Sequence, residues 1–254
     1  MTELYNYRNV LKSLIVKNLV GRYKNSILGF SWHFIFPLML LFTYYIVFTQ
    51  IRTSPIANFW IFLSSALFPL NYMISNLTVG AGCIVNNAGM IKKMYFPREI
   101  IILSQILSSF IILLFSYSVV LLAMILSGYG LGISLLFVPI MFIVMLGFTT
   151  GYTLIFSALT VYIRDVQHIL SSVSLAIYFL TPIYFMSDGV GGLLGTLIWF
   201  NPYTYYVEAF HQIVYFGSFP EIYHILICTL LSVTSLLLGL IVFNKLKRGF
   251  VERL

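Results

Sequence analysis

Residues 100–163, IIILSQILSSFIILLFSYSVVLLAMILSGYGLGISLLFVPIMFIVMLGFTTGYTLIFSALTVYI, decide the fold because they include no Asp, Glu, Lys or Arg. A helix that crosses a bilayer needs about 20 apolar residues, so this stretch is long enough for two spans. Residues 127–132, SGYGLG, predict a turn between them. The apolar residues are continuous and do not alternate with polar ones, which favours helices over the strands of an outer-membrane barrel.

The rest of the chain repeats this pattern. Of the 254 residues, 60% are hydrophobic and 8% are charged, whereas soluble domains carry about 25% charged residues. Lipid must therefore solvate much of the surface, and we predict an all-α membrane protein with six transmembrane helices. The predicted spans are residues 30–50, 59–80, 100–126, 134–160, 167–186 and 222–244.

The basic residues orient the chain. With the N-terminus inside, every Lys and Arg except Arg52 falls in a cytoplasmic segment. Because cytoplasmic segments are enriched in Lys and Arg, we expect a multi-pass protein of the inner membrane with both termini in the cytoplasm. The same enrichment accounts for the net charge of +7, which therefore does not indicate a nucleic-acid partner. Cys83 and Cys228 lie far apart in apolar sequence and are expected to be free thiols.

The N-terminal segment, residues 1–28, differs from the spans. Its apolar residues recur at helical spacing, with basic residues beside or opposite them. This pattern predicts an amphipathic helix in the inner interface that contacts membrane lipids and holds its basic side chains at phosphate level. A basic tail that only orients the chain is the alternative. The basic residues are Arg8, Lys12, Lys17, Arg22 and Lys24.

The inner loop of residues 86–98 mixes cations with large apolar groups. Such groups are typical of a surface that docks another protein. A short helix packed on the membrane face explains the same pattern equally well. The residues concerned are Met90, Lys92, Lys93, Met94, Tyr95, Phe96, Pro97 and Arg98.

The outer stretch of residues 188–220 is too polar for a span and too apolar for a free loop. Glycines open it, Asn201 and Pro202 interrupt it, and aromatic residues follow. We predict a re-entrant hairpin of two short helices between spans 5 and 6. Because a broken backbone at that depth is tolerated only against protein or a water-filled cavity, the hairpin would border a passage. An aromatic belt at the interface is the alternative.

The sequence contains no recognisable catalytic or nucleotide-binding motif. It has no Gly-x-x-x-x-Gly-Lys-Ser/Thr loop, and its His and Cys residues lack metal-ligand spacing. The spans hold essentially no carboxylates, which disfavours an ion-coupled carrier. They hold aromatic side chains that either line a channel for a glycan or are ordinary core and lipid-facing groups. The candidates for channel lining are Trp32, Phe36, Tyr44, Tyr178 and Tyr184.

Several motifs occur in an order that a known family shares. They are RYKNSILGFSW (residues 22–32) followed by Pro37, KKMYFPREI (92–100), YIRDV (162–166), NP (201–202), EAF (208–210) and the C-terminal residues 243–254. Together they resemble the ABC-2 type permeases that export polysaccharides, the membrane subunits for O-antigen, capsule and teichoic-acid export. The similarity covers nearly the whole chain, as one ABC-2 transmembrane domain of residues 1–254.

The resemblance implies a transport subunit and not an enzyme. Such permeases are homodimers that pair with two copies of a separate ABC ATPase, which binds ATP and Mg, so no cofactor is expected on this chain. Residues 86–98 would be the coupling helix that docks in the ATPase, with Arg164 and Asp165 as a second contact. The substrate would be a glycan on undecaprenyl diphosphate, and the basic N-terminal helix would suit capture of that diphosphate.

Other functions are open at this point. An ABC-2 exporter of a drug or another lipid would share the same family. An ATP-independent channel or carrier would need no partner. A membrane-bound glycan enzyme is disfavoured, because no carboxylate cluster or metal constellation lies near a plausible site.

Overall fold

The chain folds as a bundle of helices. The computed structural model describes residues 7–21, 27–51, 56–93, 96–130, 132–187 and 189–254, and these ranges contain helices and turns but no β-strand. The α-helices are α1 (Arg8–Gly21), α2 (Trp32–Ile51), α3 (Phe59–Thr78), α4 (Cys83–Asn86), α5 (Ala88–Lys93), α6 (Glu99–Leu126), α7 (Val138–Tyr162), α8 (Asp165–Leu180), α9 (Gly192–Phe200), α10 (Pro202–Phe210), α11 (Ile222–Leu246) and α12 (Phe250–Arg253). The all-α class predicted from the sequence is confirmed.

Shorter helical turns complete the bundle. Gly29–Ser31, Ile133–Phe137 and Lys247–Gly249 are 3₁₀ turns, and His211–Tyr215 continues α10 as a π-helical turn. Three segments of the described chain are long and apolar enough to cross a membrane, by length and composition: Glu99–Leu126, Ile133–Tyr162 and Ile222–Gly249. Leu38–Gln50 and Asp165–Leu180 are shorter apolar helices.

The glycine-rich turn lies where the sequence predicts it. Helix α6 ends at Leu126, and Gly128 has a φ of 72°, a left-handed conformation that glycine adopts without steric penalty. Pro139 falls in the first turn of α7, where its missing N–H breaks no helical hydrogen bond. Two long antiparallel helices therefore come from the one charge-free stretch.

Helix α3 forms the centre of the bundle and is buried along most of its length. Pro69 lies inside it and leaves the carbonyl of Ser65 without its helical donor. The hydroxyl of Tyr117 on α6 donates to that carbonyl at 3.2 Å. The neighbouring helix thus supplies the hydrogen bond that the proline removes.

Helices α7 and α11 pack together through small residues. A Cβ on Gly151 would meet the backbone of Ser235, and a Cβ on Gly239 would meet the backbone of Gly151. Ser235 Oγ also donates to the carbonyl of Phe148 at 3.1 Å. Since small residues let helix backbones approach closely, this pair forms a tight two-helix unit.

Candidate functional site

The basic N-terminal helix α1 packs against α6. Leu14 is buried, whereas Arg8, Lys12 and Lys17 are exposed. Lys17 Nζ donates to Asn87 Oδ1 at 3.0 Å, which ties α1 to the turn between α4 and α5. Arg22 and Lys24 lie outside the described residues.

Residues 83–93 contain the two short helices α4 and α5. In α5, Ile91 is buried and Met90 half-buried, while Lys92 and Lys93 are exposed at its end. Asn87 Nδ2 donates to the carbonyl of Cys83 at 2.8 Å and fixes the turn that joins α4 to α5.

Of the four residues that follow α5, the structure describes Phe96 and Pro97. Met94 and Tyr95 lie outside the described residues. The side chain of Phe96 is only 7% exposed, although the sequence pattern predicts an exposed side chain. Because Phe96 packs into the core, it offers little surface to another protein, and the half-buried Pro97 offers only part of its ring.

The start of α8 lies close to the segment that precedes α4. Arg164 and Asp165 are exposed, and Asp165 opens α8, where a negative charge interacts favourably with the helix dipole. A Cβ on Gly82, just before α4, would stand 2.8 Å from the side-chain amide of Gln167. The start of α8 therefore contacts the segment that leads into α4.

The C-terminal segment packs against the start of α6 and the end of α7. Lys247 Nζ donates to Glu99 Oε1 at 2.6 Å, and Arg98 Nη1 donates to the carbonyl of Lys247. Tyr162 Oη donates to the carbonyl of Leu246 at 2.9 Å. We call the assembly of residues 86–93, 96–99, 162–165 and 245–254 the charged end.

Of the predicted channel aromatics, Tyr44 and Tyr184 contact each other through their rings. The rings of Tyr44 and Tyr184 meet edge to face at 5.1 Å, and Tyr184 stacks on Phe48 at 4.2 Å. Tyr178 Oη donates to Asn71 Oδ1. Trp32 is half-buried at the start of α2. Phe36 lies on the same helix, but its side chain is outside the described part of the structure.

Sequence reasoning missed Phe48 and Asn71. Phe48 has no distinguishing signal among the many aromatic residues of the spans. Asn71 does have one, because an amide inside an apolar span requires a hydrogen-bond partner and so marks a helix contact. That contact joins α3 to α8.

The stretch 188–220 contains the short helices α9 and α10. Asn201 separates them: its Oδ1 accepts from the N–H of Tyr203 at 3.1 Å, and its Nδ2 donates to Thr181 Oγ1 at 2.9 Å. Pro202 is the first residue of α10, where its fixed φ suits a helix start. The Asn-Pro pair thus ends one helix and begins the next.

Neutral hydroxyls anchor the second half of this hairpin. Tyr215 Oη donates to the carbonyl of Ala57 at 2.8 Å, and Tyr129 Oη donates to the carbonyl of Tyr215 at 2.7 Å. Ser134 Oγ donates to the carbonyl of Ile213 at 2.8 Å. The π-helical turn is therefore bound to the loops before α3 and before α7.

The described residues offer no evident chemistry for a metal ion. Within the described ranges, no group of three or more His, Cys, Asp or Glu side chains lies close enough to hold one. Cys83 and Cys228 are both free and buried.

The helical architecture, its long apolar helices and the concentration of charge at one end define an integral membrane protein. The family model described as ABC-2 type transporter matches residues 9–215, and the chain belongs to that family. The resemblance drawn from the sequence motifs is thereby confirmed.

The curated relatives match over almost the whole chain. An O-antigen export system permease protein RfbA of Klebsiella pneumoniae is 30% identical, and the match covers 98% of this chain and 97% of the relative. A protein of the same name from Myxococcus xanthus is 26% identical over the same shares of the two chains.

Proposed function

We propose that the chain is the membrane-spanning permease subunit of an ABC exporter that moves a lipid-linked polysaccharide across the cytoplasmic membrane. The end-to-end similarity to O-antigen export permeases carries this proposal. It is a transport subunit, so ATP hydrolysis and the Mg that it requires belong to a partner. Two copies of the chain would pair with two copies of an ABC ATPase.

The proposed topology has six spans, α2, α3, α6, α7, α8 and α11, with both termini in the cytoplasm. Three of these elements meet the length and composition of a span. The arrangement puts the charged end inside, in agreement with the enrichment of Lys and Arg in cytoplasmic segments. The hairpin α9–α10 then lies at the outer leaflet.

The proposed ATPase contact is the exposed part of residues 86–98. Lys92 and Lys93 project from the end of α5, and Met94 and Tyr95 follow directly. Arg164 and Asp165 would form the second, smaller contact. Phe96 would act from the core by holding this segment in place.

The proposed entry site for the lipid diphosphate is α1. Its exposed Arg8, Lys12 and Lys17 would lie at the level of the phosphates, where cations attract anionic head groups. Because Lys17 also contacts Asn87, a substrate held there would lie beside the ATPase-coupling segment.

The proposed path for the glycan passes the aromatic group of α2 and the segment after α8. Aromatic faces stack on sugar rings without needing charge; Phe48 and Tyr184 are stacked on each other, and Tyr44 meets Tyr184 edge to face. The stacked rings would separate when a sugar enters between them.

Proteoliposomes that contain the chain and its ATPase test the function directly. We expect a labelled undecaprenyl-diphosphate glycan to reach the opposite face only when ATP is present. Ion flux through the chain alone, with no ATPase, would support a channel instead.

Co-purification tests the docking surface. Replacing Met94 and Tyr95 together by Asp places charge in the proposed contact and should abolish recovery of the ATPase. Ser127→Asp is the matched control, because Ser127 is exposed and lies just after the C-terminal end of α6. This variant should leave recovery unchanged. Full recovery in the double variant would refute docking through these residues.

A further inference from the structure

The last residues of the chain contact two inner segments that are far apart in sequence. At the first segment, the ammonium group of Lys247 donates to Glu99 at 2.6 Å, and the backbone carbonyl of Lys247 accepts from Arg98. The side chains of Lys247 and Glu99 are 34% and 24% exposed, so the pair is only partly open to water. These contacts hold the C-terminal turn against the start of α6.

The second contact is with the end of α7. Tyr162 donates its hydroxyl hydrogen to the carbonyl of Leu246 at 2.9 Å, and the guanidinium of Arg253 lies 5.8 Å from the centre of the Tyr162 ring. A Cβ on Gly249 would stand 2.5 Å from Tyr162 Oη, so a larger residue there would force the Tyr162 side chain to shift.

A single buried ring connects the two contacts. Phe250 is fully buried, and its ring meets Phe243 of α11 at 5.6 Å and Tyr162 of α7 at 6.4 Å. The guanidinium of Arg98 lies 5.7 Å from the centre of the same ring, within cation–π range. The start of α6 and the ends of α7 and α11 therefore converge on Phe250.

The two segments held in this way are the neighbours of the two proposed ATPase contacts. Arg98 is the last residue of the coupling segment 86–98, and Tyr162 stands just before Arg164 and Asp165. We propose that residues 246–254 form a C-terminal bracket that fixes these two contacts relative to each other, so that both move together and with α11 when the ATPase moves. This inference rests on the proposed function.

The bracket predicts a specific defect when it is broken. Residues such as Lys247 and Glu99 are positioning residues, since they act through the segments that they hold. Loss of a merely stabilising contact would lower the yield of folded complex, whereas loss of the bracket would lower the amount of glycan exported for each ATP hydrolysed.

Charge exchange in the reconstituted permease–ATPase complex tests the bracket. Glu99→Lys and Lys247→Glu, each alone, should lower the glycan exported per ATP by at least about fivefold, the lower end of typical coupling between sites. Recovery of the ATPase with the permease should be unchanged. The double exchange Glu99→Lys with Lys247→Glu should restore most of the ratio. An unchanged ratio in both single variants, or no restoration in the double variant, would overturn the proposal.

A milder variant keeps the test decisive if the exchanged chains do not fold. Tyr162→Phe removes only the hydroxyl that binds Leu246 and retains the ring beneath Arg253, and it should lower the same ratio by a smaller factor. An unaltered ratio in this variant would then refute the bracket. If the wild-type complex exports no glycan, the proposed function fails; if it exports and the variants match it per ATP, the bracket alone fails.

Discussion

The charged end and the hairpin end of the bundle are held together by different chemistry. At the charged end, an ion pair and guanidinium–ring contacts join segments from three parts of the chain. At the hairpin, the neutral amide of Asn201 and the hydroxyls of Tyr129, Ser134 and Tyr215 make hydrogen bonds, mostly to backbone carbonyls.

The difference follows from what each end is expected to face. Neutral donors satisfy backbone carbonyls without the large desolvation penalty of a buried charge, which suits a broken backbone near lipid. Charged contacts suit a surface that water and a partner protein can reach. The two ends should therefore respond differently to salt and to substitution.

The largest effect should be common to both ends, because each has a fully buried phenylalanine. Phe210 in the hairpin packs on Phe142 at 5.5 Å, and Phe250 at the charged end packs on Phe243 at 5.6 Å. Phe210→Ala and Phe250→Ala should each lower the free energy of unfolding by about 3 kcal/mol, since both leave a cavity.

Unfolding in mixed detergent micelles measures this pair. Phe179→Ala, at a ring that is 64% exposed, is the control and should change stability by less than about 1 kcal/mol. If Phe250→Ala were no more costly than the control, polar contacts alone would hold the charged end, and the two ends would not share a buried apolar anchor.

The next effect is confined to the hairpin. Asn201→Ala removes the cap of α10 and the bond to Thr181, and it should lower the free energy of unfolding by about 1–2 kcal/mol. Thr196→Ala, which removes an exposed hydroxyl on α9, should be nearly neutral and is the matched control. Equal effects of the two variants in thermal unfolding would show that Asn201 does not organise the hairpin.

Local patterns account for the parts of the fold that the sequence predicts. Absence of charge locates the long apolar helices, and the glycine-rich turn separates α6 from α7. The role of Asn201 also follows from sequence, because Asn followed by Pro is a typical helix start.

Contacts between distant residues could not be predicted in this way. Lys247 and Glu99 are 148 positions apart, so no spacing in the sequence indicates their ion pair. Pro69 indicates that the carbonyl of Ser65 lacks a donor, but only the packing of α6 identifies Tyr117 as the donor. Burial of Phe96 likewise depends on the helices that surround it.

A smaller effect distinguishes the two ends by how their stability depends on salt. Lys247→Met removes the ion pair with Glu99 and should lower the free energy of unfolding by about 1 kcal/mol at low salt, a value limited by the partial exposure of both groups. The loss should shrink as salt rises from about 0.05 M to about 0.5 M, because screening weakens the pair in the wild type.

The Asn201→Ala variant is the control for that series. Its bonds are neutral, so its loss of stability should stay constant over the same salt range. A Lys247→Met effect that is equally insensitive to salt would mean that the aliphatic part of the lysine, and not its charge, stabilises the charged end.

The smallest effect concerns the π-helical turn His211–Tyr215, which we call the tip of the hairpin, and whether it is fixed or mobile. Tyr215→Phe and Tyr129→Phe each remove one hydrogen bond, to Ala57 and to Tyr215, and each should cost about 0.6 kcal/mol, a typical value inside a membrane protein. Phe at position 215 keeps the carbonyl that Tyr129 binds, so the two losses should add within about 0.5 kcal/mol if the tip is a fixed part of the bundle. A coupling energy of about 1 kcal/mol or more would instead mean that the two bonds form and break together. The tip would then open as a unit and would be a mobile part of the bundle.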